Sequence, residues 1–325
     1  MKISRRKFLT GGAAAGALTF LPYSQADAAI RPDSYATLID LSKCDGCAGK
    51  ESPLCMDACR KGRQEDFPEP PKEELRDYWP QKKHEDWSQK RHLTNRFTPY
   101  NWIFVQQVQV GDRTLSIPRR CMHCDNPPCT KLCPFGVNHK TSEGPVYIDT
   151  DWCFGGAKCR TVCPWSVPQR QAGVGIYTLW QKYMPVGGGV MFKCDLCRDL
   201  LKVGQKPLCI EACPKNAMQI GRRDAIFKEA EGLKEKYNGD IYGMTENGGT
   251  STVYVSPVPF AEIDKALVEL AKKGKGKQKK IVRMDNPENM LAKQKNWAML
   301  SVISPVIGAV AAYSFAGGKP SEEDT

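Results

Sequence analysis

Apolar positions in this chain come in short runs, and several of the runs stop at a cysteine. Residues 36–44 (ATLIDLSKC) and 145–153 (PVYIDTDWC) each place β-branched and aliphatic residues just ahead of a cysteine, which predicts short strands leading into cysteine loops. Residues 101–110 (NWIFVQQVQV) and 113–118 (RTLSIP) predict a hairpin. A further strand is expected at 217–221 (AMQIG), and residues 222–237 show the period of an amphipathic helix. Between these runs, residues 60–100 are polar and carry Pro68, Pro70, Pro71, Trp79 and Trp87, so an irregular surface excursion is expected. Residues 272–280 (KKGKGKQKK) read as a solvated linker. Two longer apolar stretches stand apart at the ends, residues 11–22 and 297–318.

The two ends have different signatures. Arg5 and Arg6 precede Phe8 and Leu9, a weakly apolar run follows, and Ala26-Asp27-Ala28 supplies a small-x-small cleavage site. Residues 1–28 are therefore expected to be a Tat signal, which exports proteins already folded. The stretch 297–318 has 22 residues without a charge, and about 20 suffice to span a bilayer. Trp297 and Tyr313 sit where interfacial aromatics belong. The expected division is a signal at 1–28, a globular domain at 29–270, a basic linker at 271–296, a transmembrane helix at 297–318 and a tail at 319–325. The chain would then lie on the periplasmic face of the inner membrane. The basic flank runs against the positive-inside tendency; the export signal is the stronger guide for a prefolded protein. Cleavage removes four cations and Asp27, so the formal charge of +11 falls to +8. Export argues against nucleic acid as the reason for that charge and leaves anionic membrane lipid, an acidic partner or compensation for bound anionic groups.

Cysteine changes the picture most. All fifteen fall into four groups: Cys44-x₂-Cys47-x₇-Cys55-x₃-Cys59, Cys121-x₂-Cys124-x₄-Cys129-x₃-Cys133-Pro134, Cys153-x₅-Cys159-x₃-Cys163-Pro164 and Cys194-x₂-Cys197-x₁₁-Cys209-x₃-Cys213-Pro214. Soft thiolates at this spacing, with repeated C-x₃-C-P ends, suit iron–sulfur clusters. Zinc sites split into two distant pairs and do not repeat that ending. An odd number of cysteines argues against a disulfide framework. There is no C-x-x-C-H for a c-type haem. None of the four histidines, His84, His92, His123 and His139, lies in the apolar C-terminal run, so the chain offers no histidine to a membrane haem. His123 stands inside a C-x₂-C loop, where a hydrogen bond near a cluster is the plainer role than ligation. No Ser/His/Asp arrangement, nucleotide loop or radical C-x₃-C-x₂-C pattern is present, and no catalytic site is expected.

The four groups in this order, with CMHCDNPPCTKLCP at the second and CRTVCPWSVPQR at the third, resemble the iron–sulfur electron-transfer subunits of the DMSO-reductase and nitrate-reductase type. The Tat signal, the C-terminal apolar run and GTSTVYVSPVPFAEI (residues 249–263) resemble in layout the membrane-anchored subunit of periplasmic nickel–iron hydrogenases. The resemblance covers roughly residues 36–315. It implies an α+β fold of duplicated bacterial-ferredoxin-like modules with insertions, plus one C-terminal transmembrane helix. It also implies crosswise ligation: Cys44, Cys47, Cys55 with Cys213; Cys194, Cys197, Cys209 with Cys59; Cys121, Cys124, Cys129 with Cys163; and Cys153, Cys159 with Cys133.

In that last set Gly156 stands where a ligand is expected. The site reads as a [3Fe–4S] cluster or as a [4Fe–4S] cluster with water or a side chain such as Asp151 on the fourth iron; the first is favoured. Nitrate-reductase-type relatives replace the same cysteine by tryptophan and hold a three-iron cluster there, at the membrane-facing end. The expected function is a relay through three [4Fe–4S] clusters and one [3Fe–4S] cluster. It would run between a periplasmic catalytic subunit, a nickel–iron hydrogenase or a molybdenum or tungsten enzyme, and a quinone-linked integral membrane subunit. The alternatives are a free-standing membrane-tethered redox sensor and a small-substrate reductase working at the three-thiolate site.

Overall fold

The computed structural model describes residues 33–77, 82–180, 187–273 and 281–292. The expected signal (1–28), transmembrane helix (297–318) and tail (319–325), and residues 274–280 and 293–296 of the expected linker, lie outside the described residues. Among the described residues no helix is long and apolar enough to cross a membrane.

In chain order the elements are β1 (Tyr35–Asp40), α1 (Leu54–Gly62), β2 (Phe104–Val110), β3 (Arg113–Arg119), α2 (Pro128–Lys131), β4 (Asn138–Lys140), β5 (Val146–Ile148), α3 (Lys158–Thr161), β6 (Gln169–Gln171), α4 (Tyr177–Trp180), β7 (Val190–Phe192), α5 (Arg198–Lys202), α6 (Leu208–Glu211), β8 (Met218–Arg222), α7 (Arg223–Tyr237), β9 (Asp240–Tyr242), β10 (Thr252–Ser256) and α8 (Phe260–Lys273).

One four-stranded sheet has the order β8-β1-β10-β9. Its inner strands β1 and β10 run parallel, Leu38 beside Val253 and Ile39 beside Tyr254. Alternation along them divides the core in two. Ala36, Leu38, Val253 and Val255 pack with Ile226 and Ala230 of α7 on one face. Ile39 and Tyr254 enter the main core on the other, beside Cys55, Cys121, Cys124 and Cys209. Because both faces are covered, β10 is buried along its length, and its near-continuous apolar run is that of a parallel central strand.

The remaining sheets are two-stranded: β2–β3, β4–β5 and β6–β7. A rule connects them. The strand after one cysteine group pairs with the strand before another: β8 after the fourth group with β1 before the first, β4 after the second with β5 before the third, and β6 after the third with β7 before the fourth. The predicted strands, hairpin and amphipathic helix correspond to β1, β5, β2–β3, β8 and α7.

Two expectations need correction. Residues 60–100 are irregular beyond the end of α1, holding 3₁₀ turns, but they are not all surface. Tyr100 is fully buried and donates its hydroxyl to Pro68 O at 2.9 Å, and Phe97 meets Phe104 edge-on at 4.8 Å. Aromatic burial outweighs the local proline and charge. The globular unit also runs past residue 270: α8 ends at Lys273, and residues 281–292, inside the expected linker, lie against the domain. Met284 is buried, Arg283 pairs with Asp264 at 2.5 Å, and Met290 N donates to Asn247 Oδ1 at 3.0 Å.

Candidate functional site

Each cysteine group folds as a tight loop followed by a short helix. In the first group Gly46 and Cys47 have φ of 69° and 58°; in the fourth, Leu196 and Cys197 have 62° and 49°. The same Asx turn closes both, Asp45 Oδ1 accepting from Cys47 N and Asp195 Oδ1 from Cys197 N, each at 2.9 Å. That carboxylate supports a left-handed backbone that non-glycine residues rarely adopt. The second and third loops have a single left-handed residue at the corresponding place, His123 (φ 47°) and Gly155 (φ 66°). A Cβ on Gly155 would run into the backbone of Gly189, so this position requires glycine.

These loops aim backbone donors at sulfur: Leu54 N to Cys47 Sγ, Leu196 N to Cys194 Sγ and Gly155 N to Cys153 Sγ at 3.4 Å, and His123 N to Cys121 Sγ at 3.5 Å. The C-x₃-C pairs lie one helical turn apart on or just past α1, α2, α3 and α6, a rise of about 6 Å. After three groups the chain turns back at a left-handed third residue, Gly136, Ser166 or Asn216, each N–H returning to the cysteine carbonyl at 3.0–3.2 Å.

The sulfurs gather in four places. Cys44, Cys47, Cys55 and Cys213 line one cavity. Cys59, Cys194, Cys197 and Cys209 line a second, and Cys121, Cys124, Cys129 and Cys163 a third. Cys153 and Cys159 are buried together in an apolar cluster against which Cys133 packs. α1 contributes one cysteine to the first cavity and one to the second, as do α6 and the turn just past it; α2 and α3, each with the turn just past it, do the same for the third and fourth places.

The residues present fit iron–sulfur clusters. All fifteen cysteines are unpaired. Among the described residues no three His, Cys, Asp or Glu side chains converge on a point that would hold a single ion; the sulfurs instead ring apolar cavities. Burial, before any neighbouring charge, makes these thiols hard to ionise: Cys44 and Cys194 are pushed up to about 11, Cys163 and Cys209 to about 12. Iron bound to the thiolates supplies the charge that reverses this. Arg120 gives an independent sign. It is fully buried in the wall of the second cavity, donates to Thr37 Oγ1, and among the described residues its Nε and Nη1 have no partner. An anionic cluster bound beside it would satisfy that guanidinium.

Other donors surround the sulfurs. Asn247 Nδ2 reaches Cys124 Sγ at 3.4 Å and is itself held by residues 287–290. Arg63, which lines the second cavity, binds Asp195 at 2.9 and 3.1 Å. Of the basic residues beside ligands, Lys158 is exposed, Lys215 pairs with Asp45 at 3.7 Å, and Arg198 stacks on Tyr147 at 3.7 Å.

The third loop is pinned from outside. Arg170 donates to Gly155 O at 2.8 Å and pairs with Glu85, which also binds Arg160 through both oxygens at 2.7 and 2.8 Å. Glu85→Ala removes the carboxylate that Arg170 and Arg160 share. The expected cost is about 3 kcal/mol, the low end for breaking a buried pair because Glu85 is partly exposed. It should appear as an apparent melting temperature lower by roughly 10 °C, with iron lost first from the Cys133–Cys153–Cys159 place.

Gly156 is exposed, and among the described residues the only heavy atom within 4 Å of an added Cβ, chain neighbours aside, is Phe135 Cε2 at 3.9 Å. Among the described residues no carboxylate, Asp151 included, comes within that distance. Phe135 stacks on Phe154 at 4.9 Å and is about half exposed, so an aromatic ring stands at the corner without a thiolate.

Lys193, Arg120, Glu85 and Asn247 carry no spacing signal in the sequence; they become visible only once the fold brings them to the sulfurs.

Two 4Fe-4S dicluster domain families match the chain, one at residues 113–223 and one at residues 43–137. The B subunit of the anaerobic dimethyl sulfoxide reductase of Escherichia coli strain K12 is 31% identical over 195 residues, 60% of this chain and 77% of that protein. The hydrogenase-2 operon protein HybA of E. coli O157:H7 is 26% identical over 308 residues, 81% of this chain and 83% of that protein. A protein of Nitratidesulfovibrio vulgaris is 29% identical over 235 residues, 70% of this chain, and the match spans 56% of that relative's length.

Proposed function

The chain belongs to the ferredoxin-like iron–sulfur electron-transfer subunits of the DMSO-reductase type, built on tandem 4Fe-4S dicluster domains, and from that premise we propose that it is a four-site relay between a periplasmic catalytic subunit and a quinone-linked membrane subunit. Cys44, Cys47, Cys55 and Cys213 hold one [4Fe–4S] cluster; Cys59, Cys194, Cys197 and Cys209 a second; Cys121, Cys124, Cys129 and Cys163 a third; and Cys133, Cys153 and Cys159 a [3Fe–4S] cluster. Bound clusters supply one-electron storage and transfer. The chain's own residues space the sites, exclude water and set the charge around each.

The observation that carries this reading is that each sulfur group adjoins the next. Short helices tie the first cavity to the second and the third to the fourth place, while Lys193 and His123 join the second to the third. Such a row suits conduction. A catalytic subunit that is a nickel–iron hydrogenase or a molybdenum or tungsten enzyme fits the two kinds of relative.

The test is metal analysis of the complex that co-purifies from gently solubilised membranes. Nickel with iron identifies a hydrogenase partner, and molybdenum or tungsten the other class; iron alone with no large partner overturns the relay. Export by Tat and anchoring by residues 297–318 belong to the same proposal. Replacing Arg5 and Arg6 together by lysine is expected to reduce the periplasmic, membrane-bound fraction at least tenfold, read by fractionation. Undiminished export of that variant would remove the Tat reading.

A further inference from the structure

Two buried side chains cross between the second and third cysteine cavities. His123 belongs to the loop between Cys121 and Cys124 and is fully buried. Its Nδ1 accepts the Val146 N–H at 2.9 Å, so the proton of the neutral ring is on Nε2. That atom lies 3.7 Å from Cys194 Sγ, a sulfur of the other cavity. Lys193, the residue before Cys194, is 5% exposed. Its Nζ lies against Val146 O, Cys194 O at 2.9 Å and Cys121 Sγ at 3.7 Å. An ammonium has three protons, and here it has three acceptors. Each residue thus comes from one cysteine group and donates to a sulfur of the other, and both grip the backbone of the same residue, Val146.

We propose that Lys193 and His123 are a reciprocal pair of tuning residues: Lys193 makes the cluster bound through Cys121 easier to reduce, and His123 does the same for the cluster bound through Cys194. This rests on the cluster reading above. A donor to a cysteinate sulfur favours the more negative, reduced state, and a cation fixed in a buried site acts more strongly than one in water. Because the two donors cross, the two central potentials are raised together.

The test is a potentiometric EPR titration of the full chain in its complex, with iron counted in every sample. Lys193→Met is expected to shift the reduction equilibrium of the Cys121 cluster at least tenfold toward the oxidised form, which is 59 mV for one electron. His123→Phe is expected to shift the Cys194 cluster about threefold in the same direction. Lys193→Arg and His123→Gln keep a donor and are expected to recover most of each shift. A purely structural role would not produce shifts confined to the cluster across the junction. Should Lys193→Met lose iron, His123→Phe decides alone, since it removes a donor and no charge. Full iron with both potentials unmoved overturns the proposal and leaves the cluster reading intact. Absence of clusters from the unaltered protein overturns that reading instead.

Discussion

Gly156→Cys is expected to add one iron atom per chain and to abolish the EPR signal of the oxidised three-iron cluster. The position has room for a sulfur. Gly156 follows the left-handed Gly155 just as Cys47 follows Gly46, Cys124 follows His123 and Cys197 follows Leu196. Gly156 itself is not in the left-handed region, so a side chain brings no backbone strain. Among the described residues an added Cβ meets only Phe135 Cε2, at ordinary van der Waals distance. An oxidised [3Fe–4S] cluster has an odd electron count and is paramagnetic; an oxidised [4Fe–4S] cluster of the ferredoxin type is not. The new thiolate brings negative charge, which disfavours reduction. The expected fall is at least a hundredfold in the reduction equilibrium, about 120 mV at 59 mV per tenfold. Electron flow to quinone should then slow strongly while the other three sites keep their spectra. An unchanged iron count in a folded variant would mean that another donor already completes the corner.

How much of this is legible in the sequence differs by residue type. Thiolate spacing is strict, so the four groups stand out, as do β1, the β2–β3 hairpin and α7. Spacing alone does not reveal that α1 and α6 share two cavities between them; that needs the family resemblance, because it depends on helices more than a hundred residues apart. The strand at Thr252–Ser256 and helix α8 give no clear signal, because TVYVSPVPF mixes β-branched residues with two prolines, and its partner in the sheet, β1, is over two hundred residues away. Tyr100 reads as surface because its neighbours are proline and charge. Arg120 and Lys193 are hidden for a more general reason. Cations are normally solvated, and only buried, electron-rich sulfur gives them cause to be inside.

Removing the iron is expected to unfold the chain, not merely silence it. Cys55, Cys121, Cys124 and Cys209 are members of the main hydrophobic core, so the clusters stand where another protein would have apolar side chains. Without iron, the core keeps buried thiols crowded together and an Arg120 guanidinium with two nitrogens unpartnered among the described residues, each such group costing about 1–3 kcal/mol or more. Metal binding in structural sites contributes on the order of 10 kcal/mol to folding, as much as the whole net stability of a typical domain, ~5–15 kcal/mol. Anaerobic oxidation with a strong chelator should therefore abolish the cooperative thermal transition and the near-ultraviolet circular dichroism together. The sites should differ. Cys209→Ala, in the second cavity with Arg120 in its wall, is expected to prevent accumulation of folded protein. Cys153→Ala empties only the place beside the exposed Gly156 and should leave the other three clusters bound. A cooperative transition that survives complete iron loss would show that the polypeptide holds its cavities open unaided, and the clusters would then be passengers in the fold.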